Sequence, residues 1–235
     1  MSTTHQPTID ELSQQNKAAW NQLYGATQDL VWGEQPARFI EPFIPYIAPH
    51  LSDTSRLLDA GTGEGRNLSK LLELPGQVYA CDASANAVQK VPSDIQANVE
   101  THICDLSQTP FKDNFFDFVL LSDVVETLPD PIPTLQEINR ILKPGGYLLC
   151  NIPGLEDSIA EINMESVGDQ EYLYQGQYFY RFITPEDSTE MLVNCGFDIV
   201  HHQLCTWLEE AHPAFRHDEH QHSSYVFLSS KRSAS

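Results

Sequence analysis

The amino-acid sequence predicts an α/β fold: a mostly parallel sheet with helices on both faces. Three observations predict it. Apolar runs of strand length alternate with stretches of helical spacing through the middle of the chain. A glycine-rich turn, Asp59-Ala-Gly61-Thr-Gly63-Glu-Gly65, stands between the first such strand and a helix. The chain has 235 residues, 41% of them hydrophobic, enough for a sizeable core in one domain.

Residues 1–8 read as a polar tail. Ile9, Leu12, Trp20 and Leu23-Tyr24 are loosely helical. A second helix is expected after Pro36, with Phe39, Ile40, Phe43, Ile44 and Ile47 on one face, although Pro42, Pro45 and Pro49 interrupt its regularity. Arg56-Leu-Leu-Asp-Ala is a strand that ends in the glycine turn, and Asn67 to Leu74 is amphipathic. Gln77-Val-Tyr-Ala-Cys-Asp is a strand, followed by a helix to Lys90 that Ser84 can cap. Val99 to Cys104 and Phe116 to Ser122 are strands. Leu135, Ile138 and Leu142 follow helical spacing, and Lys143-Pro-Gly-Gly stops that helix before the strand Tyr147 to Ile152. Thr184-Pro-Glu-Asp opens a last helix, with a threonine cap, proline in the first turn and acidic side chains. Phe197 to Thr206 and Tyr225 to Ser229 read as two final strands. There is no internal repeat and no interdomain linker, so residues 1–235 are taken as a single domain.

Charge narrows the partners. Lys and Arg number 13 against 33 Asp and Glu, a net charge of −20. Nucleic acids and anionic membranes are bound through basic footprints, and no Lys/Arg cluster appears, so neither is expected as a partner. No apolar run approaches the roughly 20 residues of a membrane span. The first residues lack a basic region followed by an apolar stretch, so no signal peptide is expected. Cys81, Cys104, Cys150, Cys195 and Cys205 form no CxxC pair and lie mostly in strand-like runs, which suits buried thiols in a reducing cytoplasm and no metal centre.

The glycine turn carries the chemistry. Glycines there let the chain turn sharply and let a ligand approach the backbone beside the free N–H groups of the next helix. A dinucleotide site wants G-x-G-x-x-G, but Arg66 stands at the third position, and a P-loop would need Gly-Lys-Ser/Thr. Asp59 and Glu64 also sit poorly beside phosphates. Asp-x-Gly-x-Gly-x-Gly instead resembles the first motif of the class I S-adenosylmethionine-dependent methyltransferases. The resemblance continues in order: Asp82 closes the second strand, Cys104-Asp105-Leu106 the third, Phe115-Phe-Asp117-Phe-Val-Leu-Leu-Ser122 forms the fourth, and Leu142-Lys-Pro-Gly-Gly-Tyr-Leu enters the fifth. It covers about residues 55–153.

That resemblance implies a Rossmann-like fold with a seven-stranded, mostly parallel sheet, and S-adenosylmethionine as cofactor. Asp59 and Gly61 would face the methionyl part, with Thr62, Gly63 and Gly65 completing the turn. Asp82 and Ala83 would meet the ribose, Asp105 and Leu106 the adenine, and Ser122 would lie near the reacting methyl. The ligand's chemistry agrees: a sulfonium cation without phosphates suits an acidic turn, and carboxylates accept from vicinal hydroxyls. Against these roles, Asp59, Asp82 and Asp105 could serve only as turn and cap residues, and Ser122 and Asp123 divide between pocket lining and loop capping. Glu64 and Arg66 are read as solvating the helix start.

Residues Trp20 to Ile40, with Tyr24, Trp32 and Gly33-Glu-Gln-Pro36, are similar to the entry segment of the tellurite-resistance methyltransferase group. Residues 1–50 are therefore expected to form an N-terminal helical cap, with 55–153 the cofactor-binding core, 154–182 a substrate lid and 183–235 a C-terminal helix and strand pair. Small-molecule members often carry Glu-His after the fourth strand; here Glu126-Thr127 stands there, so a base at that position is missing and Glu126 reads as a packing or capping residue. Trp32, Tyr178, Tyr180 and Arg181 are candidates for the substrate pocket, with Arg181 more readily explained by pairing to a neighbouring carboxylate. Thr206 to Ser224, rich in histidine, reads as a solvated polar loop; His217, Glu219 and His220 are spaced closely enough for a metal but match no known ligand pattern. The expected function is methyl transfer to a small molecule by in-line displacement, driven by alignment. A cofactor-binding regulatory module and a protein methyltransferase with a basic partner are the alternatives, and a dehydrogenase is disfavoured by Arg66.

Overall fold

The structure is a computed structural model and describes residues 7–161, 164–212, 214–216 and 219–233. Five strands form a parallel array: β1 (Arg56–Ala60), β2 (Gln77–Asp82), β3 (Val99–Ile103), β4 (Phe116–Leu121) and β5 (Leu142–Pro153). Two long strands, β9 (Phe197–Glu209) and β10 (His220–Lys231), complete a seven-stranded sheet of order β3-β2-β1-β4-β5-β10-β9, in which β10 is antiparallel to both neighbours. The order reverses at β1 and β4, which opens a crevice at the carboxyl ends of these strands.

The period-2 geometry of the strands divides the core into two layers. Leu58, Ala60, Val119, Leu121, Leu148 and Cys150 face one way, against helices α6 (Ile132–Ile141) and α7 (Pro185–Asn194). Leu57, Phe118, Leu120 and Leu149 face the other, against Phe39, Ile40, Phe43 and Ile47 and the one-turn helix α3 (Leu68–Leu71). Caps set the helix starts: Thr184 Oγ1 accepts from Asp187 N at 3.1 Å, and Ser84 Oγ accepts from Ala87 N at 3.1 Å before α4 (Ala85–Val88). A Thr8–Glu11 capping box starts α1 (Ile9–Ala26).

The structure departs from the sequence reading in four places. The helix expected after Pro36 is broken into a 3₁₀ turn (Glu41–Phe43), the one-turn helix α2 (Ile44–Ile47) and a second 3₁₀ turn (Ala48–His50), each with a proline in its first turn, because proline has no N–H to continue a helix. A further one-turn helix, α5 (Ser93–Gln96), lies before β3. Residues 164–181 form a separate three-stranded antiparallel sheet, β6 (Met164–Gly168), β7 (Glu171–Tyr174) and β8 (Tyr178–Arg181). The histidine-rich stretch is strand at both of its ends rather than solvated loop throughout: β9 extends to Glu209, β10 begins at His220, and His220↔Glu209 and His222↔Trp207 are cross-strand pairs. His217 and Asp218 lie outside the described residues.

A third core sits above the crevice. Ala19, Leu23 and Tyr24 of α1, Val31, Ile159, and Tyr174, Tyr178, Tyr180 and Phe182 of the small sheet pack with Phe215 from the β9–β10 connection. Burial of this aromatic surface holds α1, the small sheet and the hairpin tip together as a roof. No helix among the described residues is long and apolar enough to cross a membrane.

Candidate functional site

A cavity of about 590 Å³ lies between the carboxyl ends of the parallel strands and this roof. That volume suits a small-molecule ligand. Its floor is the glycine turn. Gly61 N and Thr62 N both donate to Cys81 O, at 2.8 and 3.0 Å, which ties the turn to β2. Gly61 has φ +76°, and a Cβ there would fall 2.4 Å from Val124 Cγ2, so a side chain is excluded on both conformational and steric grounds.

Of the residues expected around a cofactor, Gly61, Thr62, Gly63, Asp82, Ala83, Asp105, Leu106 and Ser122 line this cavity. Asp59 and Gly65 do not. Asp59 is buried beneath the turn, where Thr62 Oγ1 donates to its Oδ2 at 2.7 Å. Its Oδ1 has no hydrogen-bond partner among the described residues, and burial pushes its carboxyl up to about 7. Gly65 (φ +84°) packs away from the cavity, where a Cβ would meet Leu68 and Val91 at 3.0–3.1 Å. Asp82 accepts from Gly63 N and Ser84 N at 2.9 and 2.8 Å, and burial raises its carboxyl above the usual range despite these bonds. Asp105 is half-exposed; burial pushes its carboxyl up, but Lys17 and Ser107 outweigh that and hold it below the usual range.

Other assignments change in character. Glu64 is buried and does not solvate a helix end: Val31 N donates to its Oε2 at 2.7 Å, and Lys90 pairs with its Oε1 at 3.0 Å. It clamps residues 30–32 to the glycine turn. Arg66 is ion-paired to Asp123, whose N–H donates to Asn151 Oδ1 at 2.8 Å. Trp32 lines the cavity and donates from Nε1 to Tyr24 Oη at 3.0 Å.

On the lid, Tyr180 lines the cavity but Tyr178 and Arg181 do not. Tyr178 is buried edge-on against Trp20 and Phe215, with ring centroids 4.9 and 4.8 Å away. Arg181 donates to Glu171 Oε1 at 2.7 Å and to the carbonyls of Leu128 and Pro129, which fits its reading as a paired residue. The period-2 alternation of β8 turns Tyr178 and Tyr180 one way and Arg181 the other; of the first two, Tyr178 is covered by Trp20 and Phe215.

Glu126, His220, His222 and Arg216 are among the cavity residues not picked out as site residues from the sequence. Glu126 lines the cavity and is buried, with no partner for Oε2 among the described residues. Burial, Asp123 and Asp157 push its carboxyl well above the usual range. His220, His222 and Arg216 come from the β9–β10 hairpin. His222 Nδ1 contacts the carboxylate of Asp157, and Asp157 also accepts from Ile159 N and Ser223 N, both at 2.9 Å. Both carboxylate oxygens thus receive backbone N–H groups, and a carboxylate only accepts, so the imidazole supplies the hydrogen at Nδ1. Asp157, His220 and His222 have potential ligand atoms within 4.8 Å of one another. Arg216 donates to His220 Nε2 at 3.4 Å, which occupies the lone pair of that nitrogen and sets a positive charge beside the group.

Residues 58–150, about two-fifths of the chain, match the family model of a methyltransferase domain. The chain is 39% identical over 109 residues to the demethylmenaquinone methyltransferase of Lactiplantibacillus plantarum, covering 43% of this chain and 46% of that one. It spans less than half the length of the demethylmenaquinone methyltransferases it matches, between 37% and 46%. Among solved structures, it resembles the 1,6-didemethyltoxoflavin-N1-methyltransferase of Burkholderia thailandensis, bound to 1,6-didemethyltoxoflavin and S-adenosylhomocysteine (TM-score 0.71, 18% identity, 99% of this chain and 94% of that one). It also resembles a SAM-dependent methyltransferase of Methanosarcina mazei (TM-score 0.66, 20% identity, 81% and 98%). These likenesses show the Rossmann-like fold of the class I methyltransferases, here with a seven-stranded mixed sheet.

Proposed function

We propose that this chain, with its class I methyltransferase fold, transfers a methyl group from S-adenosylmethionine to a small molecule. The observation that carries the reading is convergence. The glycine turn, Asp82, Asp105 and Ser122 come from the ends of four parallel strands and border one roofed cavity.

The residues present fit this cofactor. The floor is acidic and glycine-lined, and two of the cations that line the cavity, Lys17 and Arg66, are ion-paired to Asp105 and Asp123. That donor set suits a phosphate-free, cationic ligand and not a dinucleotide. Asp82 would accept from the ribose hydroxyls, Asp105 and Leu106 would flank the adenine, and Gly61 to Gly63 would face the methionyl part. Bound there, the cofactor supplies an electrophilic methyl group. The chain contributes alignment and exclusion of water, and positioning of this kind is worth about 7–11 kcal/mol of a reaction barrier. Trp32, Tyr180, Phe182 and Trp207 wall the remaining space, where an acceptor would lie. His222, oriented by Asp157, is the residue to take a proton from a hydroxyl or amine acceptor, the role Thr127 cannot fill. The roof of α1, residues 30–38 and the small sheet favours a small molecule over a peptide, which would need an open groove. The entry segment around Trp20 to Phe39 serves here as the cover of the cofactor half, as its similarity to the tellurite-resistance group suggests.

Calorimetric titration with S-adenosylhomocysteine tests the reading. Binding is expected in the wild type, and Asp82→Asn should weaken it by about tenfold or more through loss of charge-assisted hydrogen bonds. Failure of the wild type to bind would refute the proposal; unchanged affinity in the variant would refute the role of Asp82.

A further inference from the structure

The cavity wall includes a buried cation, Arg216, besides Lys17, Arg38 and Arg66. Arg216 lines the cavity and is only 5% exposed. An arginine stays charged in proteins, and a buried charge without a counter-ion is costly to a fold. Yet no carboxylate lies within 4.0 Å of Arg216 among the described residues. Neither of its side-chain partners is a carboxylate: Nη2 donates to Tyr180 Oη at 3.3 Å and Nη1 to His220 Nε2 at 3.4 Å, both long bonds. Its Nε–H has no acceptor among the described residues.

Scarcity of carboxylates is not the reason. The chain has 33 acidic residues against 13 basic ones, and Arg66, Arg140 and Arg181 each have a carboxylate partner. Glu126 borders the same cavity, but it is not within ion-pair distance of Arg216, and burial pushes its carboxyl well above the usual range. What surrounds Arg216 instead is aromatic. Its guanidinium carbon lies 5.3, 5.4 and 5.8 Å from the ring centroids of Phe215, Tyr174 and Tyr180. These rings hold the guanidinium plane in place without neutralising it. Tyr180, which accepts from Arg216 and also lines the cavity, is kept as a phenol by burial and has its own O–H to donate.

We propose that Arg216 is the anion-binding residue of the acceptor half of the cavity, and that the acceptor is a small organic molecule carrying an oxyanion group, a carboxylate or a phosphate ester. A guanidinium presents a fixed fork of donors that matches the oxygens of either group, and Tyr180 Oη adds a third donor beside it. The strongly acidic exterior opposes anions only at long range, where salt screens it. The inference deepens the methyltransferase reading and rests on it for the word acceptor.

The test uses the full chain at constant ionic strength, with benzoate, phenyl phosphate and the neutral isostere benzamide as probes in calorimetric titrations. One of the two anions should bind at least about tenfold more tightly than benzamide. A preference for benzoate identifies a carboxylate acceptor, and a preference for phenyl phosphate a phosphate ester. Arg216→Met should abolish the preference and Arg216→Lys retain part of it, while both keep the affinity for S-adenosylhomocysteine. Equal binding of anions and benzamide by the wild type would overturn the proposal and needs no variant to fold. So would an anion preference that survives in Arg216→Met, or a loss of S-adenosylhomocysteine affinity there, which would assign Arg216 to the cofactor half. If the wild type shows the Arg216-dependent preference but fails to bind S-adenosylhomocysteine, the anion site stands and the methyltransferase reading falls.

Discussion

Gly61 and Gly145 make a matched pair of perturbations. Both have left-handed backbones, φ +76° and +75°. An alanine Cβ at Gly145 would meet nothing within 4 Å, whereas at Gly61 it would lie 2.4 Å from Val124 Cγ2 and 3.6 Å from Leu106 Cδ1. Forcing an L-residue into the left-handed region costs about 1–2 kcal/mol. Reduced freedom of the unfolded chain returns about 0.4–1 kcal/mol of that. Gly145→Ala should therefore destabilise by about 1 kcal/mol. Gly61→Ala carries the same backbone cost plus overpacking against a buried valine, about 1–3 kcal/mol more, for a total of about 2–4 kcal/mol. Urea unfolding followed by far-ultraviolet circular dichroism measures both, provided the slope is common to the two variants. The double variant Gly61→Ala/Val124→Ala should recover part of the difference, since the clash is with that one side chain. If the two single variants agree within about 0.5 kcal/mol, the contact with Val124 does not constrain the turn and the steric account of the motif is wrong.

The buried carboxyl of Asp59 predicts a pH dependence. Its native value is raised by burial from 3.8 to about 7, so its acid form is favoured on folding. The stability it contributes is full below the unfolded value and is lost as pH rises to about 7. Asp59→Asn removes that term; urea midpoints of wild type and variant should diverge across this window, and a constant offset would contradict it. The Asp157–His222 pair can be checked without an acceptor. Long-range proton–nitrogen spectra of the imidazoles should show His222 as the Nδ1–H tautomer in the wild type, and Asp157→Asn should disturb it. An Nε2–H signal for His222 in the wild type would remove it as a proton acceptor.

The glycine-turn side of the cavity was largely legible in the sequence because its determinants are local. A glycine turn, and carboxylates that close successive strands, are each read within a few residues, and the parallel sheet then brings Asp82, Asp105 and Ser122 to one rim. The hairpin side was not legible. Asp157 and His222 are 65 residues apart and meet because β10 pairs with β5 as far as Ser224↔Pro153, just short of both residues. His220-Gln-His-Ser-Ser looks like a solvated loop, since its buried face is polar and so hides the alternation that marks a strand. The strands of residues 164–181 were missed for a related reason: their aromatics pack against the roof, not the main core, so no apolar period stands out.

The sequence by itself therefore determined the α/β class, the order of the parallel strands' chemistry, and an acidic, glycine-lined floor suited to a phosphate-free cofactor. It also determined that Thr127 offers no base. Tertiary structure alone decided which polar residues share the space above that floor. It turned Tyr180 into the cavity and Arg181 away from it, because alternate strand residues must face opposite ways, and it buried Tyr178, on the same face as Tyr180, against Trp20 and Phe215. It buried Glu64 as a clamp and left Arg216 charged among aromatic rings. Charge counted along a chain gives a net of −20. Charge placed in a fold depends on who is buried beside whom, and among the described residues no carboxylate pairs with the buried guanidinium of Arg216.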